Sequence, residues 1–329
     1  MDFQKSIELA ELAFGREDLR VTRPLTHLAS LHRLRGYPTE ALAIQERTLD
    51  LLTRELGPEH PSVADLLYNM GNALAELDRL AEAAQRQRRA LELYEKVYGP
   101  EHVSVARAHD GLGSTLRVLH QYDEALEHIQ RGLDLRIKLL GTRHADVGLS
   151  LGHVASVLLQ QGRYREALAT WRKAMDIYEE RYGPKHPEVG GRLIFGAGIL
   201  ARMGRLKEAL ATSSRGVAIF EASPQPGGMR LAHALTVRGE HELALGRTRQ
   251  AVSSLERALA IHESNPQSRQ EMALTQFTLA RALWPAGKRS RALALAEEAR
   301  RTFAQGSPQS SDELPRVTHW LAQHRRAGR

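Results

Sequence analysis

The sequence contains no cysteine among its 329 residues. This absence excludes disulfides, thiolate metal sites and a cysteine nucleophile, and it fits a reducing compartment. Long apolar runs are also missing: the longest, Leu193 to Ala201, is far shorter than the roughly 20 residues that cross a bilayer. The start of the chain, Met1 to Gln4, lacks the basic and apolar stretches of a secretory signal. We therefore predict a cytoplasmic protein with no membrane contact.

Aromatic residues and lysine are scarce. Aromatic residues form 5% of the chain, and lysine supplies only seven of the 46 Lys and Arg residues, so the net charge of +7 rests on arginine. Arginine favours bidentate contact with carboxylate or phosphate. The charge either selects an acidic partner or forms a solvated outer face, and both interpretations stay open. No aromatic residues interleave Arg86, Arg88 and Arg89 to stack bases, so nucleic-acid binding is the weaker alternative.

A seven-residue motif recurs seven times at a spacing of 42 residues, with one residue deleted before the last copy. Each copy is a short turn followed by a helix start, as in Gly36 to Leu42 and Gly204 to Leu210. A repeat of this length is one supersecondary unit that cannot bury its own apolar face, so neighbouring copies must stack. The pattern predicts an all-α solenoid of antiparallel helix pairs.

Each copy contains two amphipathic stretches, a helix A and a helix B. In the second copy, Ser62 is the candidate N-cap of a helix A that runs to Leu77, and helix B runs from about Ala81 to Val97 before a Gly-Pro stop. Three positions per copy are small, and 20 of these 21 residues are Ala or Gly. Small residues let two helices approach closely. In the second copy they are Gly71, Ala83 and Ala90.

These small positions resemble those of the tetratricopeptide repeat over about residues 22 to 304. The lengthened unit, with linkers such as Gly57 to Pro61, is similar to the kinesin-light-chain type. The tail from Arg291, with its terminal helix, is similar to repeat arrays attached to bacterial serine/threonine kinases. The resemblance implies a right-handed superhelix whose A helices line a concave groove. It also implies a non-enzymatic interaction scaffold, the regulatory C-terminal part of a larger bacterial signalling protein.

The register divides the chain into a fragment, seven units and a cap. Residues 1–14 are predicted to be helix B of a preceding repeat whose helix A is missing, and residues 311–325 to be a helix that caps the last repeat. The seven units are predicted at residues 22–56, 63–98, 105–140, 147–182, 189–222, 231–264 and 272–304.

The sixth unit departs from the others. Arg238 and Glu242 stand where Met70 and Leu74 stand in the second unit, and the stretch from Ser223 to Gly228 contains two prolines and two glycines. A polar pair at this spacing after such a stretch indicates either a flexible joint or a weak repeat.

Histidines in the linkers invite a metal interpretation. Because equivalent positions in a solenoid cannot share one ion, we predict instead that each imidazole makes a hydrogen bond at the start of helix A. The four residues are His60, His102, His144 and His186. His241 begins a motif like that of zinc proteases, but Leu245 replaces the second ligand. No catalytic constellation stands apart from the register, so we predict no catalytic residue, metal or cofactor.

The inward face of helix A is polar and mixed. Asparagine supplies both a donor and an acceptor to a peptide backbone, so this face predicts binding of an extended peptide or protein segment, although exposed helix faces are polar in any case. A receptor whose ligand changes the superhelical pitch is a further alternative. The candidate binding residues are Arg23, His27, Arg33, Asp65, Tyr68, Asn69, Asn72, Arg107, Asp110, Ser114, Arg117 and His153.

Overall fold

The computed structural model describes residues 3–223, 228–264, 269–305 and 313–326. These residues form 16 α-helices and a short 3₁₀ turn at Leu19–Val21, and the described ranges contain no strand. The helices are α1 (Phe3–Phe14), α2 (Thr22–Leu34), α3 (Pro38–Leu56), α4 (Pro61–Glu76), α5 (Leu80–Tyr98), α6 (Val103–Val118), α7 (Tyr122–Leu140), α8 (Ala145–Gln160), α9 (Tyr164–Tyr182), α10 (Pro187–Arg202), α11 (Leu206–Glu221), α12 (Met229–Ala244), α13 (Thr248–Glu263), α14 (Arg269–Leu283), α15 (Arg289–Gln305) and α16 (Glu313–Arg326).

The chain divides into two compact units, Met1–Gly162 and Arg163–Arg329. The even-numbered helices from α2 to α14 are the A helices, and the odd-numbered helices from α3 to α15 are the B helices. Asp65 on α4 contacts Tyr94 late in α5, whereas Asn72 later on α4 contacts Gln87 earlier in α5. Rising numbers on one helix therefore meet falling numbers on the other. The predicted all-α array of antiparallel helix pairs is confirmed.

The turn between helix A and helix B explains why the seven-residue motif recurs. Its first residue has a positive φ in every copy, a conformation that glycine adopts without a steric penalty. Five copies use glycine, with φ of 82° at Gly36 and 75° at Gly162, and two use Asp78 and His120, each at φ 61°. The motif therefore marks a backbone requirement of the turn.

The small positions predicted in each copy lie where the two helices of a pair meet. A Cβ added at Gly71 would lie 2.6 Å from Cγ of Gln87, and one added at Gly113 would lie 2.5 Å from Cγ1 of Ile129. Such distances leave no room for a larger side chain. The small residues therefore set the close approach of helix A to helix B, as predicted.

The linker histidines are the N-caps of the A helices. Nδ1 of His60 accepts a hydrogen bond from the backbone N–H of Ser62, with 3.2 Å between the nitrogens, and the other three linker histidines make the same bond. The predicted hydrogen bond at the helix start is confirmed. The prediction of Ser62 as the N-cap is wrong: the helix begins at Pro61, so Ser62 supplies the N–H that is capped.

Loss of one of these caps should be measurable. His102 caps α6 and stacks on Tyr98, with 4.3 Å between ring centroids. We expect His102→Ala to lower the free energy of unfolding by about 1 kcal/mol, whereas His102→Asn should retain most of it because the amide oxygen accepts the same bond. Urea titrations followed by circular dichroism measure both. Equal losses would assign the contribution of the imidazole to stacking on Tyr98.

The last repeat is covered by α16, the helix predicted for residues 311–325. Val317 and Leu321 are buried, and the ring of Trp320 lies edge-on to Phe277 and Trp284 at centroid distances of 6.1 and 5.7 Å. These contacts close the apolar end of the array. In the described ranges no helix combines the length and the apolar character that crossing a bilayer requires.

The polar pair of the sixth unit is bonded inside the array. Arg238 Nε and Glu242 Oε1 are 3.6 Å apart, and the hydroxyl of Ser254 donates to Glu242 at 2.7 Å and accepts from Arg238. Of the stretch from Ser223 to Gly228, residues 224–227 lie outside the described residues. The flexible joint stays a prediction.

Candidate functional site

The candidate site is the inward face, by which we mean the side of α2, α4, α6 and α8 turned away from the B helices. Within the compact unit Met1–Gly162, α4 contacts α6 and α6 contacts α8. Each of these A helices also contacts the neighbouring B helices. The A helices α4, α6 and α8 therefore form a continuous layer. Side chains from successive repeats lie next to one another on it, and all twelve predicted residues belong to this unit.

At the centre of the inward face, Arg107 joins two repeats. Its guanidinium donates to Oδ1 of Asp65 at 3.0 Å and to the hydroxyl of Tyr94 at 3.0 Å, and the Tyr94 hydroxyl donates to the same carboxylate oxygen at 2.7 Å. The guanidinium also lies 4.8 Å from the ring centroid of Tyr68. Burial raises the pKa of Tyr94 above its usual value. Tyr94 was not predicted here, because its register position belongs to the buried side of helix B.

Next to the Arg107 contacts, the ring of Tyr68 lies against the backbone of α6 at Gly111. A Cβ added at Gly111 would lie 2.7 Å from Cε2 of Tyr68, so the ring occupies the space that a side chain would need. Asn72 accepts a hydrogen bond from Nε2 of Gln87 at 3.2 Å. Asn69 is half-buried one turn before Asn72. The predicted Tyr68, Asn69 and Asn72 are thus brought together.

Asp110 is predicted on this face, but the structure places its side chain beneath it. The carboxylate is 3% exposed, pairs with Arg136 of α7 and accepts from the hydroxyl of Ser150 of α8 at 2.8 Å. Burial raises the pKa of Asp110 to about 6, against the opposing effect of Arg136. We correct the prediction for Asp110: it holds three helices together and does not contact a ligand at the surface. Arg136 and Ser150 were not predicted.

On α2, the predicted side chains lie at the edge of the inward face. Arg23 and His27 are exposed, and Arg33 near the end of the helix forms an ion pair with Glu76 of α4. The pair of Arg33 and Glu76 therefore joins the predicted residues of α2 to the next A helix.

On α6 and α8, the face is more open. Ser114, Arg117 and His153 are half-buried, and His153 Nδ1 lies 4.0 Å from a carboxylate oxygen of Asp110. A Cβ added at Gly152 would meet no atom within 4 Å. Open space therefore lies over α8 at the register position that Tyr68 fills on α4.

No group of three His, Asp or Glu side chains within the described ranges is arranged to hold a metal ion. Nδ1 of His241, in the truncated protease-like motif, lies 3.1 Å from the buried hydroxyl of Ser213. This contact is part of the packing between α11 and α12.

The chain belongs to the tetratricopeptide repeat family. The model of this repeat matches residues 20–96, 62–138, 104–180, 146–190 and 197–264, which together span more than half of the sequence. No curated protein sequence matches the chain.

Solved structures show the same fold at low identity. The apo form of the quorum sensor NprR from B. thuringiensis is 14% identical, with a TM-score of 0.70 over 92% of this chain and 82% of that chain. Aspartyl phosphate phosphatase F from Bacillus subtilis is 13% identical, with a TM-score of 0.66 over 89% and 73%. Kinesin light chain repeats from Podosopora anserina are 19% identical, with a TM-score of 0.53 over 63% and 99%. The predicted resemblance to repeats of the kinesin-light-chain type is confirmed.

Proposed function

We propose that the inward face binds an extended peptide or protein segment and that the chain acts as a non-enzymatic interaction scaffold. The observation that carries this proposal is the cluster of Arg107, Asp65, Tyr68 and Tyr94, in which polar side chains of two repeats are fixed by one another. Side chains held in place before binding lose little conformational entropy when a ligand arrives, which favours affinity.

Each part of the face has a separate task in this proposal. The ring of Tyr68 against Gly111 offers an apolar surface, and the amides of Asn69 and Asn72 can pair with the peptide backbone. The open space over Gly152 leaves room for the segment to continue onto α8. Ser114 lies between these two regions on α6.

We further propose that this scaffold is the cytoplasmic regulatory part of a larger bacterial signalling protein. The support is at the level of the fold: two of the similar structures come from bacteria, and one of them is a quorum sensor. Identities of 13% and 14% carry no information about the partner.

The test starts from a random peptide library displayed on phage and selected against the protein. We expect a selected peptide to bind about tenfold or more weakly to Asn69→Ala/Asn72→Ala, which loses the amides, and to Gly152→Tyr, which fills the open space. Fluorescence anisotropy of the labelled peptide measures the affinity. Arg86→Ala, on the outer helix α5, is the matched control and should bind normally.

Circular dichroism must show unchanged helicity in every variant. Wild-type affinity in both inward-face variants would place the binding site elsewhere and overturn the proposal.

Nucleic-acid binding is not favoured by the outer arginines. Arg88 pairs with Glu124 at 2.7 Å and Arg89 pairs with Glu92 at 2.9 Å. Cations that already have carboxylate partners release fewer counterions on meeting a phosphate backbone. The ligand-responsive receptor stays a hypothesis.

A further inference from the structure

Arg117 stands out on the inward face because its charge is not matched. It lies in the last turn of α6, half-buried, and no carboxylate of the described residues forms an ion pair with it. Burial lowers its pKa, with only the nearby Tyr122 acting in the opposite direction. A half-buried guanidinium without a counter-charge has lost part of its hydration, and an incoming anion would offset this loss.

The repeat register supplies an internal comparison. Arg33 stands two repeats before Arg117 at the equivalent position, and it pairs with Glu76 of the next A helix. The residue two repeats after Glu76 is Gln160, at the end of α8. Arg33 therefore has a carboxylate, that of Glu76, at the register position where Arg117 has the neutral amide of Gln160.

The neighbours of Arg117 favour a carboxylate over a phosphate. The hydroxyl of Tyr122 lies 2.7 Å from Nδ1 of His120, so these two polar groups are already bonded to each other. A phosphate carries up to two charges and is commonly held by several cations or by a helix N-terminus. Arg117 lies at a helix C-terminus and offers one planar fork, which matches one carboxylate.

We propose that Arg117 binds a carboxylate of the bound segment, so that the inward face selects acidic peptides. This inference rests on the proposed function and adds the chemistry of its ligand. Arg117 lies ten residues after Arg107, about 15 Å along the helix at 1.5 Å per residue. An extended peptide of about five residues covers that distance, so one segment can contact both the Tyr68 cluster and Arg117.

The test measures the Nε–Hε signals of arginine by NMR in the intact chain. The probes are N-acetyl-Glu-Glu-amide and its neutral analogue N-acetyl-Gln-Gln-amide, and Arg117→Lys assigns the Arg117 signal. We expect the acidic probe alone to shift the Arg117 signal in a saturable way. The Arg33 signal, whose charge is matched by Glu76, should not move.

Two substitutions exchange the roles of the two arginines. Gln160→Glu should weaken the response of Arg117 by about tenfold, because the new carboxylate occupies the guanidinium as Glu76 does at Arg33. Glu76→Gln should make Arg33 respond to the acidic probe. Neither change removes an apolar contact, so both proteins should fold.

Equal shifts at Arg33 and Arg117 in the unmodified chain, or a response that survives Gln160→Glu, would overturn the assignment. A stronger response to inorganic phosphate than to the acidic dipeptide would overturn the choice of carboxylate. If the dipeptide binds at Arg117 while library peptides ignore the inward-face substitutions, the proposed function fails and the anion site stands. If library peptides bind the face but show no preference for acidic residues, only this inference fails.

Discussion

Replacing Arg136 by phenylalanine is expected to lower the free energy of unfolding by about 3–5 kcal/mol, because it leaves the carboxylate of Asp110 buried without its cation. Arg136 is 6% exposed and Asp110 is 3% exposed. Arg136 also donates to the hydroxyl of Ser150 at 2.7 Å. The substitution therefore removes the central member of a polar cluster that joins α6, α7 and α8.

The second compact unit, Arg163–Arg329, shows how the loss can be compensated. Two repeats further on, the positions of Asp110, Arg136 and Ser150 are occupied by three residues of one apolar cluster. These residues are Ile194, Phe220 and Ala234. We expect the triple variant Asp110→Ile/Arg136→Phe/Ser150→Ala to be as stable as the original protein or more so, because a buried ion pair can be replaced by well-packed apolar residues at little cost.

Urea unfolding followed by circular dichroism measures both variants, and helicity before the transition checks that each is folded. A loss below about 1 kcal/mol in Arg136→Phe would show that the buried carboxylate finds another partner or takes up a proton. A triple variant as unstable as the single one would show that shape, and not charge, limits the replacement.

Acidification from pH 7 to pH 4 is expected to destabilise the protein through its buried histidines. Burial lowers the pKa of His109 and of His241 to about 4, whereas an unfolded histidine titrates near 6.5. The unfolded chain therefore binds more protons in this window, and stability falls as the pH decreases through it. Each histidine contributes at most about 3 kcal/mol, at 1.36 kcal/mol per pKa unit.

Asp110 acts in the opposite sense. Its pKa is raised to about 6 in the folded protein, so the folded state takes up a proton first and the contribution of Asp110 to stability is largest at low pH. This effect offsets about one of the two histidines. The net contribution of His109, His241 and Asp110 between pH 7 and pH 4 is therefore an expected loss of about 3 kcal/mol.

His241→Val isolates one contribution. Val157 occupies the equivalent position two repeats earlier and is fully buried, and the hydroxyl of Ser213 keeps its hydrogen bond to the carbonyl of Leu210. We expect the variant to lose about 2–3 kcal/mol of the dependence on pH, measured as free energies of unfolding in urea at pH 7, 6, 5 and 4. An unchanged dependence would assign the acid sensitivity to other groups.

Features that recur along the array could be predicted from the sequence. The turn with positive φ, the small contact positions and the histidine caps each appear several times at a fixed spacing, so the pattern itself identifies their roles. The exact cap was missed because serine is a common N-cap and histidine is not. Backbone geometry decides that Ser62 follows the cap.

Features that occur once could not be predicted in the same way. Helical periodicity places Asp110 on the same face as Tyr68, but its burial depends on Arg136 and Ser150, which are 26 and 40 residues away in the sequence. A signal did exist: Arg136 occupies a position held by Tyr94 and Tyr178 in neighbouring repeats. A charged residue at a position that is aromatic in both neighbouring repeats indicates a buried partner.

The cluster of Asp110, Arg136 and Ser150 also limits how the compact unit Met1–Gly162 can deform. Sliding α8 against α6 would separate the Ser150 hydroxyl from the ion pair of Asp110 and Arg136 and leave these buried groups without their hydrogen-bond partners. Apolar contacts slide past one another with a smaller loss, because they have no preferred direction. Repeats three and four should therefore behave as one stiff block, and a ligand on their inward face meets a surface that keeps its shape.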